Sequence, residues 1–224
     1  FINPKQFNNQ HDLAHYPVTI EKDIEMLETA GCDVLFLPDY HEVYPANYET
    51  PHYPLGHLET ILEGKFRPGH FQGVCQVVDR LLQICKCHVL FLGQKDYQQC
   101  LVIKKMIALS HSSVVVVTCT TKREADGLAM SSRNMRLTVE QRNKAAVLYS
   151  SIVDVTQHYN QTPKEAIHQA KKKIEAEEFE IDYLTVCDEW LHELSDDSDT
   201  SNLQDEHKDQ PIKKVVLVAA SICG

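Results

Sequence analysis

Long apolar runs, a basic excess and a Walker A loop are all missing from this chain of 224 residues. No stretch approaches the roughly 20 apolar residues that a membrane-spanning helix needs, and no charged-then-apolar leader is present. The expectation is a cytoplasmic protein with no membrane partner. Lysine and arginine number 22 against 32 aspartates and glutamates, a formal charge of −10. Phosphate backbones require clustered basic groups on an exposed face, so a nucleic-acid partner is disfavoured. Without a Gly-x-x-x-x-Gly-Lys-[Ser/Thr] segment the chain is not a P-loop enzyme. The eight cysteines lie scattered, several of them inside apolar runs, which points to free buried thiols and away from a disulfide framework. What is present is 43% hydrophobic and 24% charged residues, enough for the core of one large or two modest domains.

Helical and extended patterns alternate through the first half. "YPVTIEKDIEMLETAG" spaces Ile20, Ile24, Met26 and Leu27 near helical periodicity and stops at Gly31, and "CDVLFLP" then reads as a strand closed by Pro38. "HFQGVCQVVDRLLQIC" carries Val74, Val77, Val78, Leu81, Leu82 and Cys85 on a helical stripe, ahead of the strand "HVLFLG", the helix "QQCLVIKKMIAL" and the strand "SSVVVVTC". Strands separated by helices of this length imply a parallel sheet with crossover helices. Near Thr121 the texture changes to two surface-lying helices, "VEQRNKAAVLYSSIVDVTQHY" and "PKEAIHQAKKKIEAEEF", with strands "IDYLTVC" and "KKVVLVAA" after them. The acidic run from Glu193 to Gln210 between those strands reads as a solvated hairpin loop. The expectation is an α/β protein: a Rossmann-like domain over residues 1–121 and a smaller α+β lid domain over 122–224. Phe1 and Ile2 read as the tail of a strand whose first βα unit is missing, and Gly224 follows directly on an apolar strand.

Polar residues cluster where those strands end. An open α/β sheet binds ligands at the carboxyl ends of its strands, and "NPKQF", "LEGKFRPGHFQGV", "GQKDYQQ" and "KREADGLAMSSRN" each put small or polar residues just after or between strands. Ser131 and Ser132 taken alone make a turn. Taken with Lys95 elsewhere in the chain and the Arg133 guanidinium, they suit a nucleotide triphosphate, whose oxygens want charge-assisted and bidentate donors. Thr138 and Gln141 have the spacing of a capping box.

The blocks "FINPKQF", "YPVTIEKD", "LEGKFRPGHFQGV", "FLGQKDYQQ", "READGLAMSSRN" and the closing "VLVAA" resemble, in order and interval, the pantoate–β-alanine ligase (pantothenate synthetase) family through almost the whole chain. The resemblance implies the nucleotidylyltransferase superfold and a two-step ligation. ATP with Mg2+ activates the pantoate carboxylate as pantoyl adenylate, and β-alanine then displaces AMP to give pantothenate. It also implies a homodimer. By resemblance Gly93, Gln94, Lys95 and Asp96 line the ATP site together with Lys122, Met130, Ser131, Ser132 and Arg133, and Lys95 and Arg133 are the catalytic cations. Asn3, Gln6 and Gln99 are expected to hold pantoate, since a carboxamide both donates to a carboxylate and accepts from a hydroxyl. Asp23 takes the position of an acidic residue near the metal, although its neighbour Lys22 stands where the family is often acidic.

Three departures accompany the match. The family's early "PTMGALHEGH"-type histidine segment has no counterpart in this sequence, and "PLGH" at Pro54–His57 lies in a different context; Gln94 replaces a common glutamate; and the continuation beyond "VAA" is curtailed. Two other classes stay open: a nucleotidylyltransferase of the same superfold, and a non-catalytic remnant serving as a binding or dimer module. The remaining features read as structural. His70 has an orienting or packing role, the Cys85–His88 cluster lacks the further paired ligands of a zinc site, Lys171–Lys173 form a solvated helical face, and Trp190 is a partly exposed packing residue.

Overall fold

The computed structural model describes residues 1–194 and 213–222. The chain divides into two units, Phe1–Thr120 and Thr121–Gly224. Among the described residues no helix is long and apolar enough to cross a membrane.

In the first unit a 3₁₀ turn at Pro4–Gln6 leads to α1 (Gln10–Ala14), α2 (Ile20–Thr29), α3 (Tyr40–Val43) and α4 (Leu62–Phe66). The long helix α5 (His70–Cys85) follows, then β1 (Val89–Gly93), α6 (Tyr97–Leu109) and β2 (Val115–Cys119). The two strands pair in parallel, from Val89 opposite Val115 to Gly93 opposite Cys119. Parallel neighbours cannot be joined by a tight turn, and α6 is the crossover that connects them. Helix α5 buries Phe71, Val74, Cys75 and Val77, and α6 buries Cys100, Val102, Ile103, Met106 and Ile107. Fully burying side chains of this kind stabilises by about 1.5–3 kcal/mol each. The short α3 docks on α5 through Val43, Tyr44 and Val77. Its entry is set by a reciprocal capping box between Asp39 and Glu42.

The expected strand in "CDVLFLP" is absent from the described ladders. Residues 34–37 belong to no helix or strand, and Val34, Leu35, Phe36 and Leu37 are all exposed. Apolar composition makes a segment able to join a sheet, but a strand exists only where a neighbour exchanges hydrogen bonds with it. Phe1 and Ile2, read as the tail of a strand, are likewise outside any ladder.

The second unit contains α7 (Val139–Lys144), α8 (Ala146–His158), α9 (Pro163–Ala176), β3 (Phe179–Cys187) and β4 (Val215–Ile222). The strands pair antiparallel, Phe179 opposite Ile222 through Cys187 opposite Val215, with a register irregularity between Ile181 and Tyr183. Val155, Tyr159, Ala170 and Ile174 on the helices pack with Phe179, Leu184 and Val186 on the sheet. The stretch read as one helix from Val139 is two. Hydrogen bonding changes at Ala145 from the i−4 bond to Gln141 to an i−3 bond from Leu148, and Ala145 is buried there. The Thr138–Gln141 capping box is formed on both sides. Pro163 opens α9 at a position where its missing N–H is no loss. The acidic run from Glu193 to Gln210 falls, beyond Leu194, outside the described residues.

A tight turn enters this unit. Arg123 bridges to Ala129, and Gly127 between them has φ 90°, with the Tyr149 ring so close that an added Cβ would lie 1.9 Å from Cδ1. Gly127→Ala is therefore expected to destabilise the unit by about 2 kcal/mol or more, from left-handed strain and overpacking together. Chemical denaturation of the full chain should show this loss, and the same substitution in a Tyr149→Ala background should lose measurably less.

Candidate active site

The "NPKQF" turn is held on the first turn of α5 by contacts that leave it little freedom. Asn3 is 3% exposed, and its Nδ2 donates to the carbonyl of Gly73 at 3.0 Å and to Gln6 Oε1 at 3.4 Å. Its Oδ1 caps the turn by accepting from Lys5 N–H at 3.3 Å and also accepts from the Tyr44 hydroxyl at 3.2 Å. The main chain of Gln6 is fixed in turn. Its carbonyl meets His70 Nδ1 at 2.8 Å and Arg67 Nη2 at 3.5 Å. His70 is 5% exposed, so its orienting role is the one the geometry displays. Gly73 is what lets the two segments touch: a Cβ there would sit 2.4 Å from the carbonyl oxygen of Lys5.

Two further carboxamides tie loops to helices. Gln72 on α5 donates to Tyr53 O and accepts from Tyr53 N–H at 2.8 and 3.1 Å, and reaches Glu59 Oε1 at 3.0 Å. Gln98 on α6 donates to Leu58 O and Ile61 O, both at 2.9 Å, and accepts from Glu63 N–H at 3.1 Å. Amides withdrawn from water have to find partners, and here the partners are main-chain groups of residues 53–63 together with the Glu59 carboxylate. The adjacent pair in "YQQ" is thus divided: Gln98 is buried in structural bonds, and Gln99 is half-buried.

Gly93 ends β1 opposite Cys119, the last residue of β2, and Gln94–Asp96 form a 3₁₀ turn before α6. Gly93, Gln94, Lys95 and Asp96 are all exposed at this strand end. The buried Cys100 thiol on α6 reaches the Gly93 carbonyl at 3.3 Å. Burial raises that thiol above its ordinary range, with Asp96 contributing. It therefore remains a protonated donor to the strand end. Lys95 Nζ lies 2.7 Å from Asp96 Oδ1. Asp23, on the first turn of α2, is exposed and accepts from Thr19 Oγ1 at 3.0 Å.

In the second unit the chain returns on itself to bring Lys122 beside Met130, whose N–H donates to the Lys122 carbonyl at 3.0 Å. Ser131 caps the 3₁₀ turn Ser132–Arg136 by accepting from Arg133 N–H at 3.3 Å, and Asn134 Nδ2 anchors the turn to Ala129 O at 3.0 Å. The Arg123 guanidinium stacks on the Tyr149 ring, 4.1 Å from its centroid, and donates to Gly127 O at 3.0 Å. Arg142 forks onto the Asp126 carboxylate, and Leu128 N–H adds a third donor. Those bonds hold the Asp126 carboxyl below its ordinary value, the Arg142 bond most of all.

Of the residues that the sequence patterns place at the two ligand sites, Asn3 touches Gln6 and Lys122 bonds Met130 through the main chain. Nothing in those patterns singles out Tyr44, Gln72, Gly73 or Gln98. A signal exists for Gln98, which heads the stripe continued by the fully buried Val102 and Met106. A polar residue in that place must be buried and therefore bonded.

A family model described as pantoate-beta-alanine ligase matches residues 1–224. The chain belongs to the pantoate–β-alanine ligase family. A pantothenate synthetase of Cytophaga hutchinsonii is 37% identical over 228 residues, covering 100% of this chain and 77% of the relative. The crystal structure of pantothenate synthetase from Thermus thermophilus is 40% identical with a TM-score of 0.83, covering 87% of this chain and 72% of that one. Pantoate-beta-alanine ligase from Francisella tularensis, complexed with beta-gamma ATP and beta-alanine, is 35% identical with a TM-score of 0.71, covering 83% and 68%. Members of this carbon–nitrogen ligase family share the α/β architecture with a parallel sheet and a smaller carboxy-terminal domain found here.

Two outcomes follow for these turns. Gly73→Ala has to push the Pro4–Gln6 turn off α5, and amide exchange at Lys5 and Gln6 should accelerate at least tenfold while exchange in α9 stays unchanged. Because the folded Asp126 carboxyl is depressed, its stabilising contribution is complete above the unfolded carboxylate value of about 4 and is lost as pH falls through the folded value. Carboxyl NMR titration should show this, and Arg142→Gln should bring the Asp126 midpoint upward.

Proposed function

We propose that this protein condenses pantoate with β-alanine, driven by ATP and passing through a pantoyl adenylate. In the first step a pantoate carboxylate oxygen bonds to the α-phosphorus as the bond to the β-phosphate oxygen breaks, releasing pyrophosphate. The β-alanine amine then attacks the acyl carbon and AMP leaves, with a proton lost from nitrogen. The observation that carries this reading is the family match over residues 1–224. It is supported by the Francisella relative, which was crystallised with an ATP compound and β-alanine.

The residues suit the chemistry. A carboxylate attacking a phosphate brings anions together, so charge growing on the bridging and leaving oxygens has to be compensated. Lys95 and Arg133 are the cations assigned to the phosphates, within the ATP-binding set of Gly93–Asp96, Lys122 and Met130–Arg133. Lys95 is paired with Asp96, but the two side chains are 36% and 56% exposed. An exposed pair of this kind is worth about 0–1 kcal/mol, so a phosphate can take the ammonium at little cost. Of the three amides expected to hold the hydroxy acid, Gln6 and Gln99 keep that assignment, whereas Asn3, buried with both ends of its amide bonded within the protein, does not; fixing the acid against ATP supplies acceleration through orientation.

Magnesium belongs to the reading as the counter-ion of the nucleotide. Among the described residues no group of three His, Cys, Asp or Glu side chains gathers, and Asp23 is one carboxylate already accepting from Thr19. These side chains do not make a metal cage by themselves. The ion fits instead as one held chiefly by phosphate oxygens, and the residue roles above do not depend on it. A cytoplasmic homodimer completes the proposal, on the strength of family membership.

Product analysis tests it. Incubated with ATP, pantoate and β-alanine, the full chain should release AMP and pyrophosphate only when pantoate is supplied, and Lys95→Ala should lower that release by about a hundredfold or more. Nucleotide retained in the product would indicate a nucleotidylyltransferase, and ATP and pantoate both failing to bind would indicate a non-catalytic module.

A further inference from the structure

The Gln6 carboxamide is oriented by the protein itself. Asn3 sees partners of opposite kinds at the two ends of its amide: the backbone N–H of Lys5 on Oδ1 at 3.3 Å and the carbonyl of Gly73 on Nδ2 at 3.0 Å. An N–H cannot accept and a carbonyl cannot donate, so only one of the two amide orientations satisfies both. The remaining Nδ2 proton then points to Gln6, and the atom it meets at 3.4 Å is Oε1. The Gln6 carbonyl end is occupied by Asn3, and its Nε2 end, with two donors, is turned away from Asn3.

Tyr44 locks the arrangement from the other side. Its ring is 5% exposed on the α3 boundary, and its hydroxyl donates to Asn3 Oδ1 at 3.2 Å. Burial, with the Tyr40 and Tyr48 phenols adding, pushes the Tyr44 hydroxyl up to about 12, so it stays a donor throughout the neutral range. The Lys5 ammonium lies 4.1 Å from the ring centroid and pins the ring's face. The Gln6 carbonyl accepts from His70 Nδ1 at 2.8 Å, which fixes the main chain that carries the amide.

We propose that Tyr44 and Asn3 are positioning residues that turn the Gln6 carbonyl oxygen toward Asn3 and so present Gln6 to its ligand through the Nε2 donors, so that the site selects its small acid by oxygen acceptors, carboxylate or hydroxyl, without Asn3 touching the ligand. The identity of the acid as pantoate rests on the functional reading above; the orientation of Gln6 does not. An acid lacking an acceptor at that point, or offering an N–H there, leaves the Gln6 donors unpaired and is rejected.

The test uses the full chain with Tyr44→Phe and Asn3→Ala variants, and Gln6→Ala to assign the Gln6 side-chain amide resonances. Removing the hydroxyl should shift those resonances and weaken pantoate binding roughly three- to tenfold, the worth of about one neutral hydrogen bond, with ATP affinity and melting temperature little changed. In Asn3→Ala the amide is free to rotate, and the preference for pantoate over its primary amide should shrink severalfold. Gln6 resonances that stay in place in both variants, or an undiminished preference in Asn3→Ala, would overturn the proposal. A wild-type chain that binds no pantoate would sink the functional reading alone, because the amide resonances still report whether Tyr44 and Asn3 orient Gln6.

Discussion

The close approach of the Pro4–Gln6 turn to the start of α5 is the constraint on which the first unit's candidate site depends. Its geometry admits no side chain at position 73, where a methyl would sit 2.4 Å from the Lys5 carbonyl oxygen. Once the main chains touch, the hydrogen bonds follow: Asn3 to Gly73, His70 to Gln6, Tyr44 to Asn3. Each bond is worth only about 1 kcal/mol net, but leaving Asn3 buried without partners would cost more than any one of them returns. The network is therefore held together as a set. It places a carboxamide with defined polarity on a rigid helix start.

Elsewhere the protein uses the same device with different partners. Gln72 and Gln98 fasten residues 53–63 to α5 and α6 through bonds to their main chain. In the second unit an arginine fork on Asp126 and an arginine stacked on Tyr149 shape the turn that brings Lys122 to Met130. Loops that present ligand-binding groups carry polar main chain that water would otherwise solvate. Side chains projecting from helices satisfy it with less loss of order. The turns at the strand end and at Ser132–Arg136 are fixed by hydrogen bonds from Cys100 to Gly93, from Arg133 N–H to Ser131 and from Asn134 to Ala129.

Much of this is legible in the sequence, and unevenly. Helices α5 and α6 and strands β1 and β2 are plain from periodicity, since each of those helices buries one stripe and each strand alternates exposed with half-buried residues. The capping box at Thr138 and Gln141 is plain from spacing. The segment at residues 34–37 departs from its expected strand because composition reports readiness to pair and not the presence of a neighbour. The break at Ala145 leaves no mark in a helical pattern that runs through it. Among the polar residues, the "NPKQF" and "DGLAMSSRN" blocks mark where ligand chemistry is expected. They do not say which amide touches a ligand and which one steers another.

What the sequence by itself determined was the kind of protein: the helices and strands from α5 to β2, the family, and the residue types available for phosphate and hydroxy-acid chemistry. These follow from short-range periodicity and from motifs whose spacing is written along the chain. The tertiary structure alone decided which of those polar groups are spent on the protein. Asn3 and Gln98 are committed to carbonyls 70 and 40 residues away, and Tyr44 reaches Asn3 across 41. A hydrogen bond is directional and closes only when both chains arrive at about 3 Å, a coincidence that no local pattern encodes.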